Sequence, residues 1–228
     1  MAILVTSDQK IQNLPANTPV IRGVGDVITS DRFQRDGALN GSTTDNFAGG
    51  AAKVWGGLVD GGNATVTKNV FQVSGFPEKG YADVLPVGAF SLCLDAGRYN
   101  ATVSFRLLPG SSAIVAGNNS MIELRKAAAN TGDTYRITLG PYVNNEYTGC
   151  TLSKRVSGSA AVLSNLPNIP GNAFVKVDMK DGVIKIYYNE ILQHTRTELD
   201  FLKGNFFGIA GSSSNKQWRI TDFILRMN

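Results

Sequence analysis

The chain is 228 residues long, 43% apolar and 18% charged, with 25 glycines and a formal net charge of +4. That mix suits many short strands joined by tight turns rather than helices, and no apolar run reaches the roughly 20 residues of a membrane-spanning helix. The charge is modest and its basic residues are scattered. Arg125-Lys126 and Lys154-Arg155 are no more than pairs, which argues for solvated strand faces and against a nucleic-acid surface.

Residues 1–26 differ from the rest. Met1-Ala-Ile-Leu-Val-Thr-Ser-Asp8 lacks a basic n-region and an adequate apolar h-region, so no signal peptide is expected. Asn13 to Pro19 carries two prolines, which remove ladder donors and favour extended backbone. This predicts an N-terminal arm with apolar pieces at Ile3-Leu-Val5 and Val20-Ile21. Such an arm packs either on its own domain or on the sheet edge of a neighbour.

The body, residues 27–228, opens with Val27 to Ser42, turns at Asp36-Gly37 and Asn40-Gly41, and reaches Trp55. Strands are expected over Val66 to Val73, Ala89 to Leu94 and Tyr99 to Leu108, while Tyr81 to Pro86 reads either way. Met121-Ile-Glu-Leu-Arg125 and Asp133 to Leu139 are an expected adjacent pair. Lys126-Ala-Ala-Ala129 has room for one helical turn before Gly132. Thr151 to Val156 and Ala160 to Leu163 follow, separated by Gly158.

The firmest local signal is Asp181-Gly182 between Phe174-Val-Lys-Val-Asp-Met-Lys180 and Val183-Ile-Lys-Ile-Tyr-Tyr188. It predicts a type I′ hairpin with positive φ at both turn residues. Met179 then faces Ile184, Val177 faces Ile186 and Val175 faces Tyr188 on the apolar side. Asp178 faces Lys185 and Lys176 faces Tyr187 on the other. Asn189-Glu190 turns the chain into Ile191-Leu192, Phe206 to Ala210 reads as a buried strand, and Gly211 to Asn215 reads as a loop. In the final segment, Trp218 to Arg226, strict alternation would bury Asp222. A bulge at Thr221-Asp222 instead aligns Trp218, Ile220, Phe223 and Leu225, and aims Asp222 elsewhere.

About a dozen strands with turn chemistry every 8–12 residues predict an all-β fold, a two-sheet antiparallel β-sandwich with an extended N-terminal arm. The order of elements also resembles the concanavalin A-like lectin/glucanase jelly-roll superfamily across roughly residues 27–228. The pieces that carry the likeness are Asp31 to Ser42 leading to Trp55, Tyr135-Arg-Ile-Thr-Leu139, Cys150 to Lys154, the Asp181-Gly182 hairpin, Gly204 before Phe207-Gly-Ile-Ala210, and Ile220 to Ile224. The opening element looks like that of jelly-roll modules in bacteriophage structural and tail proteins. The resemblance implies two curved antiparallel sheets, one of them concave and open.

Glycan-cleaving relatives would set two or three carboxylates on alternate positions of one strand, about 5 Å apart. The matching strand here supplies Glu123 alone, with Arg125 two residues on, so Glu123 is expected to pair with a cation. Glu190 falls in a turn. Glu198 and Asp200 lie in a polar connection, where solvated or turn-forming roles are expected. His194, the one histidine, has no orienting acid in its sequence context. One histidine and the distant Cys93 and Cys150 do not complete a zinc site, and free buried thiols are favoured over a disulfide.

No cofactor is required. The resemblance leaves calcium open, with Asp31 and Asp222 as candidates on adjacent strands. Gly140 to Tyr147 places Tyr142, Asn144, Asn145 and Tyr147 in one loop, the best candidate for a carbohydrate or partner contact. Trp55 and Trp218 read as core or rim packing.

The expectation is a non-enzymatic structural or adhesion protein of a phage-like virion, a capsid decoration or tail adhesin. It is made in the host cytoplasm, and its arm docks on neighbouring subunits or other virion proteins. The alternatives are a carbohydrate-binding lectin module and a glycan-hydrolysing enzyme of the same fold, with Glu123 as the acid.

Overall fold

A computed structural model describes residues 25–35, 37–60, 64–67, 81–84, 89–109, 120–129, 132–211 and 218–228. Its strands are β1 (Val27–Asp31), β2 (Gly37–Ala38), β3 (Gly56–Asp60), β4 (Ala64–Thr67), β5 (Tyr81–Val84), β6 (Ala89–Asp95), β7 (Ala101–Leu108), β8 (Ser120–Lys126), β9 (Thr134–Leu139) and β10 (Tyr142–Val143). They continue as β11 (Glu146–Tyr147), β12 (Thr151–Val156), β13 (Ser159–Asn165), β14 (Ile169–Pro170), β15 (Phe174–Lys180), β16 (Val183–Tyr188), β17 (Ile191–Thr197), β18 (Phe206–Gly211) and β19 (Arg219–Met227). The described residues contain no helix, and Lys126 to Ala129, where one helical turn had room, is strand end and bend.

Two antiparallel sheets form the sandwich of the expected jelly-roll kind. One is nine-stranded, in the order β17-β16-β15-β7-β19-β5-β4-β2, with β1 also pairing β19. The other is seven-stranded, in the order β13-β12-β9-β8-β18-β6-β3, and β10-β11-β14 form a small third sheet. Alternating apolar positions of both large sheets meet in one cluster that includes Phe105, Phe223, Trp55, Ile122 and Phe207. Trp55 and Trp218 are both fully buried in it.

The β15–β16 register is the one the hydrophobic alternation dictates, from Val175 opposite Tyr188 to Lys180 opposite Val183. Its turn differs from the expected type I′. Asp181 has φ +49°, but Gly182 is not in the left-handed region. Glycine is needed there for a different reason, since a Cβ at 182 would fall on the carbonyl oxygen of Glu198, whose N–H donates to the Gly182 carbonyl at 2.8 Å. The pattern with positive φ at both turn residues occurs instead at Asn189-Glu190, at Asn144-Asn145 and at Ser157-Gly158.

The bulge in β19 lies where the side-chain count requires it. Thr221 pairs with Arg106 and Ile224 with Ser104, so Asp222 and Phe223 together oppose one residue of β7. Asp222 takes φ +52°. Trp218, Ile220, Phe223 and Leu225 are consequently all buried on the core side.

Of the expected arm, residues 1–24 lie outside the described residues. Gly25 and Asp26 already belong to the ladder: the Gly25 N–H donates to the Met227 carbonyl at 2.7 Å, and the Met227 N–H to the Asp26 carbonyl at 2.9 Å. Tyr81 to Val84, ambiguous in sequence, is a strand. The strand expected over Val66 to Val73 is described only to Thr67, as part of β4, and the 211–215 loop only at Gly211.

Replacing Gly182 by Ala should lower stability by about 1–3 kcal/mol, the cost of forcing a methyl into an occupied contact. A urea unfolding curve reads this directly, and an unchanged midpoint would contradict the packing described here.

Candidate functional site

The carboxylate most open to a catalytic reading, Glu123, sits on the face of the seven-stranded sheet that points away from the core. Ile122 and Leu124 face inward, whereas Glu123 lies between Gly208 of β18 and Arg136 of β9. It is fully buried. Arg136 Nη2 donates to Oε1 at 2.9 Å, and Lys126 Nζ lies 3.2 Å from Oε2. Ser91 Oγ donates to Oε2 and accepts from Lys126 Nζ, which also donates to the Ala129 carbonyl at 3.0 Å. The carboxylate is thus paired with cations, as expected.

The cation is not the residue that strict alternation would place nearby. A register shift between Phe206 and Gly208 makes β8 bulge at Arg125, which has φ +48°. The bulge turns Arg125 off the Glu123 face and returns Lys126 to it. Arg125 is itself fully buried. Its Nε donates to the Tyr99 carbonyl at 2.8 Å, Nη1 to the Asp181 carbonyl at 2.6 Å and Nη2 to Asn100 Oδ1 at 2.9 Å. Its guanidinium also lies 5.1 Å from the centre of the Phe201 ring. Burial pulls its pKa down to about 10, so it remains a cation at neutral pH. Arg125-Lys126 is therefore not a solvated pair, a correction to the reading from charge pattern alone.

Cys93 lies beside this cluster, with Sγ 3.7 Å from Glu123 Oε2. Burial first, and the Glu123 charge second, push its pKa up to about 12. A thiol kept protonated and sealed is a poor nucleophile. Cys150 is also free and buried, and burial raises its pKa too.

The calcium candidates lie on adjacent strands but on different business. Asp31 pairs with Phe223 across β1 and β19 and is fully buried. Its Oδ1 accepts from the Phe33 N–H and Arg35 Nη1, both at 2.8 Å. Its Oδ2 accepts from Arg35 Nη2 at 2.8 Å and Trp55 Nε1 at 2.7 Å. Asp222 Oδ1 accepts from Arg32 Nε at 3.1 Å, and its Oδ2 lies 3.8 Å from Arg106 Nε. Oxygens already facing guanidinium groups do not make a calcium donor set. Among the described residues no group of three or more His, Cys, Asp or Glu could hold a metal.

The Gly140 to Tyr147 segment is a two-residue hairpin. Asn144 and Asn145 stand exposed at its tip, with φ +51° and +64°. Tyr142 is half-buried, its ring 4.9 Å from that of Tyr147. Tyr147 is fully buried, and its hydroxyl donates to the Leu108 carbonyl at 2.7 Å. Tyr147 is therefore a core residue rather than a contact ring, because it is the position on this short hairpin that faces the sandwich.

Glu198 is not a solvated turn residue either. It accepts from Arg196 Nε at 2.7 Å and lies 3.7 Å from Lys154 Nζ, which joins the two sheets. Lys154 Nζ also donates to the Asp200 carbonyl, and Glu190 pairs with Lys176. His194 Nε2 has no hydrogen-bond partner among the described residues. Lys126, Arg136, Ser91 and Cys93 were missed as Glu123's surroundings. The pairing of β8 with β9 was legible, but its register, which sets Arg136 opposite Glu123, was not.

No protein-family model matches the chain, and no curated protein matches it in sequence. Among solved structures it is similar to the carbohydrate-binding module CBM66 from Bacillus subtilis, with a TM-score of 0.46 and 12% identity over 84% of this chain and 94% of that one. It is similar to a Bacillus licheniformis beta-glucanase, with a TM-score of 0.46 and 10% identity over 90% and 99% of the two chains. The Caenorhabditis elegans galectin LEC-6 gives 0.37 and 15% over 63% and 88%. None of the three is near enough to lend this chain a ligand or a reaction.

Two outcomes follow from the buried cluster. Glu123→Gln strands two cations and should cost about 3–5 kcal/mol of stability, read as a lowered unfolding midpoint. Cys93 holds its proton in the folded state up to about pH 12, whereas a solvent-exposed thiol of the unfolded chain ionises near 9.0. The folded state then carries the extra proton between those values, so stability falls as pH rises through that window. This group contributes at most about 1.4 kcal/mol per pH unit, and Cys93→Ala should flatten that alkaline slope.

Proposed function

We propose that this protein is a non-enzymatic structural or adhesion component of a phage-like virion, built on a lectin-like jelly roll. The observation that carries the non-catalytic reading is Glu123. It is sealed between Lys126 and Arg136, and its other side-chain neighbours are Ser91 and Cys93. A glycosidase needs one carboxylic acid that can protonate a leaving group and a second that can attack or activate water. Here the candidate carboxyl is sealed from solvent with both oxygens already engaged by Arg136, Lys126 and Ser91. The opening element supports a structural role in the same way, because Asp31, Arg35 and Trp55 are committed to one another.

The Asn144-Asn145 tip, with half-buried Tyr142 behind it, is the contact through which such a component would touch a glycan or another virion protein. Residues 1–24 dock on neighbouring subunits.

A chain lacking residues 1–24 tests this. It keeps Gly25 and Asp26, which belong to the ladder with Met227. It should melt as the full chain does but sediment as a monomer under conditions where the full chain assembles. Assembly without residues 1–24 would overturn the docking role. Hydrolysis of any polysaccharide by the folded full-length chain would overturn the non-enzymatic one.

A further inference from the structure

The sandwich has two unlike flanks. On one, Gly25 joins β1 to the end of β19, and this is where residues 1–24 connect. On the other lie the terminal strands β17 and β13 of the two large sheets. The two terminal strands share that flank because Lys154 of β12 pairs with Glu198, just beyond β17, and because the Tyr188 hydroxyl of β16 donates to the Pro167 carbonyl, just beyond β13, at 3.2 Å.

The two free edges are guarded differently. β17 carries Arg196, and charge is a common protection of an edge. β13, Ser-Ala-Ala-Val-Leu-Ser-Asn, has seven residues with no charge and no proline, and most are exposed; its one irregularity is a bulge at Leu163, which leaves Ser159 to Val162 in regular pairing with β12. Val162 stands 64% exposed in its middle. Among the described residues nothing pairs with its outer side.

Seven large apolar side chains are exposed among the described residues, and five belong to this flank: Val156, Val162, Ile191, Leu192 and Leu199. A single added strand would cover β13 and leave most of the others in water. A second copy of the domain would cover them too.

The sequence offers one fitting donor. Met1-Ala-Ile-Leu-Val-Thr-Ser7 is uncharged, β-branched in part and free of proline. The other uncharged stretch before Gly25, Ile11 to Ile21, is broken by Pro15 and Pro19, and so cannot form a regular ladder.

We infer that β13 is the acceptor edge for the Ala2 to Thr6 segment of a second copy of this chain, which adds to it as an antiparallel or parallel strand. This rests on the docking role proposed above and names the surface. The backbone supplies the ladder, and Val162 with its apolar neighbours supplies the buried patch.

The test uses full-length variants and sedimentation velocity, with thermal melting as the control for folding. Val162→Lys and Ala161→Asp place charges on the two faces of β13 at exposed positions. The double variant Ile3→Asp with Val5→Asp spoils the donor. Each should melt like the parent and sediment as a monomer, at least tenfold weaker in self-association. Mixed together, Val162→Lys (donor intact) and Ile3→Asp/Val5→Asp (edge intact) should form one-to-one heterodimers and nothing larger.

Parent-like assembly of both β13 variants would overturn the inference, as would a mixture that stays monomeric. So would a monomeric parent in which Ala2→Cys cross-links to Val162→Cys within one chain. If removal of residues 1–24 abolishes assembly while the β13 variants assemble normally, the docking role stands and only this surface is wrong. If assembly survives that removal, the docking role falls as well.

Discussion

The fold depends on one strand having a residue too many. The last segment must present Trp218, just before β19, and Ile220 to the core in its first half, and Phe223 and Leu225 in its second, and those two sets are out of phase by one position. Two residues opposite one on β7 restore the phase. Phe223 is thereby set 5.3 Å from Trp55 and 6.5 Å from Phe105, at the centre of the sandwich. Without the bulge the second half of β19 would turn to water, exposing two large side chains at roughly 1.5–3 kcal/mol each. The displaced residue, Asp222, is then aimed at Arg32, which follows β1. The correction in one strand thus also fastens the chain's opening element.

The same device operates in β8, where it decides the chemistry of the outer face. A strict alternation would have set Arg125 beside Glu123. The bulge instead sends Arg125 to clamp Tyr99, Asn100 and Asp181, joining the β6–β7 connection of one sheet edge to the β15–β16 turn. Lys126 then takes the vacated role. Both buried clusters are specific arrangements more than sources of stability. An ion pair taken out of water roughly breaks even against a well-packed apolar substitute, while removal of one partner is costly. They make alternative registers of β8 and β1 expensive, because any slip strands a buried charge.

What was legible in the sequence follows the period of two. Where an apolar face must be buried, register is over-determined, so the β15–β16 pairing and the β19 bulge could both be read from residue order. The phase conflict in β19 is visible because four large side chains demand one face. The β8 bulge was not legible, since Ile122 and Leu124 satisfy simple alternation and nothing apolar follows to reveal the break. The turn at Asp181-Gly182 was placed correctly for an incomplete reason. Its glycine answers to the Glu198 backbone, a contact from a segment 16 positions away that local propensity does not contain. Tyr147 was misjudged because four polar or aromatic residues in one loop look alike until a two-residue turn assigns alternate faces.

Four acids among the described residues are committed to cationic or N–H partners. Asp31 answers Arg35 and Trp55, Asp222 answers Arg32, Glu198 answers Arg196 and Lys154, and Glu123 answers Lys126 and Arg136. The flank of β13 and β17 differs, presenting strand edges and exposed apolar side chains. Edge strands of soluble proteins are usually protected by charge, proline or bulges, and β17 has such protection. The β13 edge is built differently: it carries neither charge nor proline, and its one irregularity is the bulge at Leu163, so Ser159 to Val162 keep a regular outer row of backbone donors and acceptors while buried charge elsewhere fixes the registers of β8 and β1.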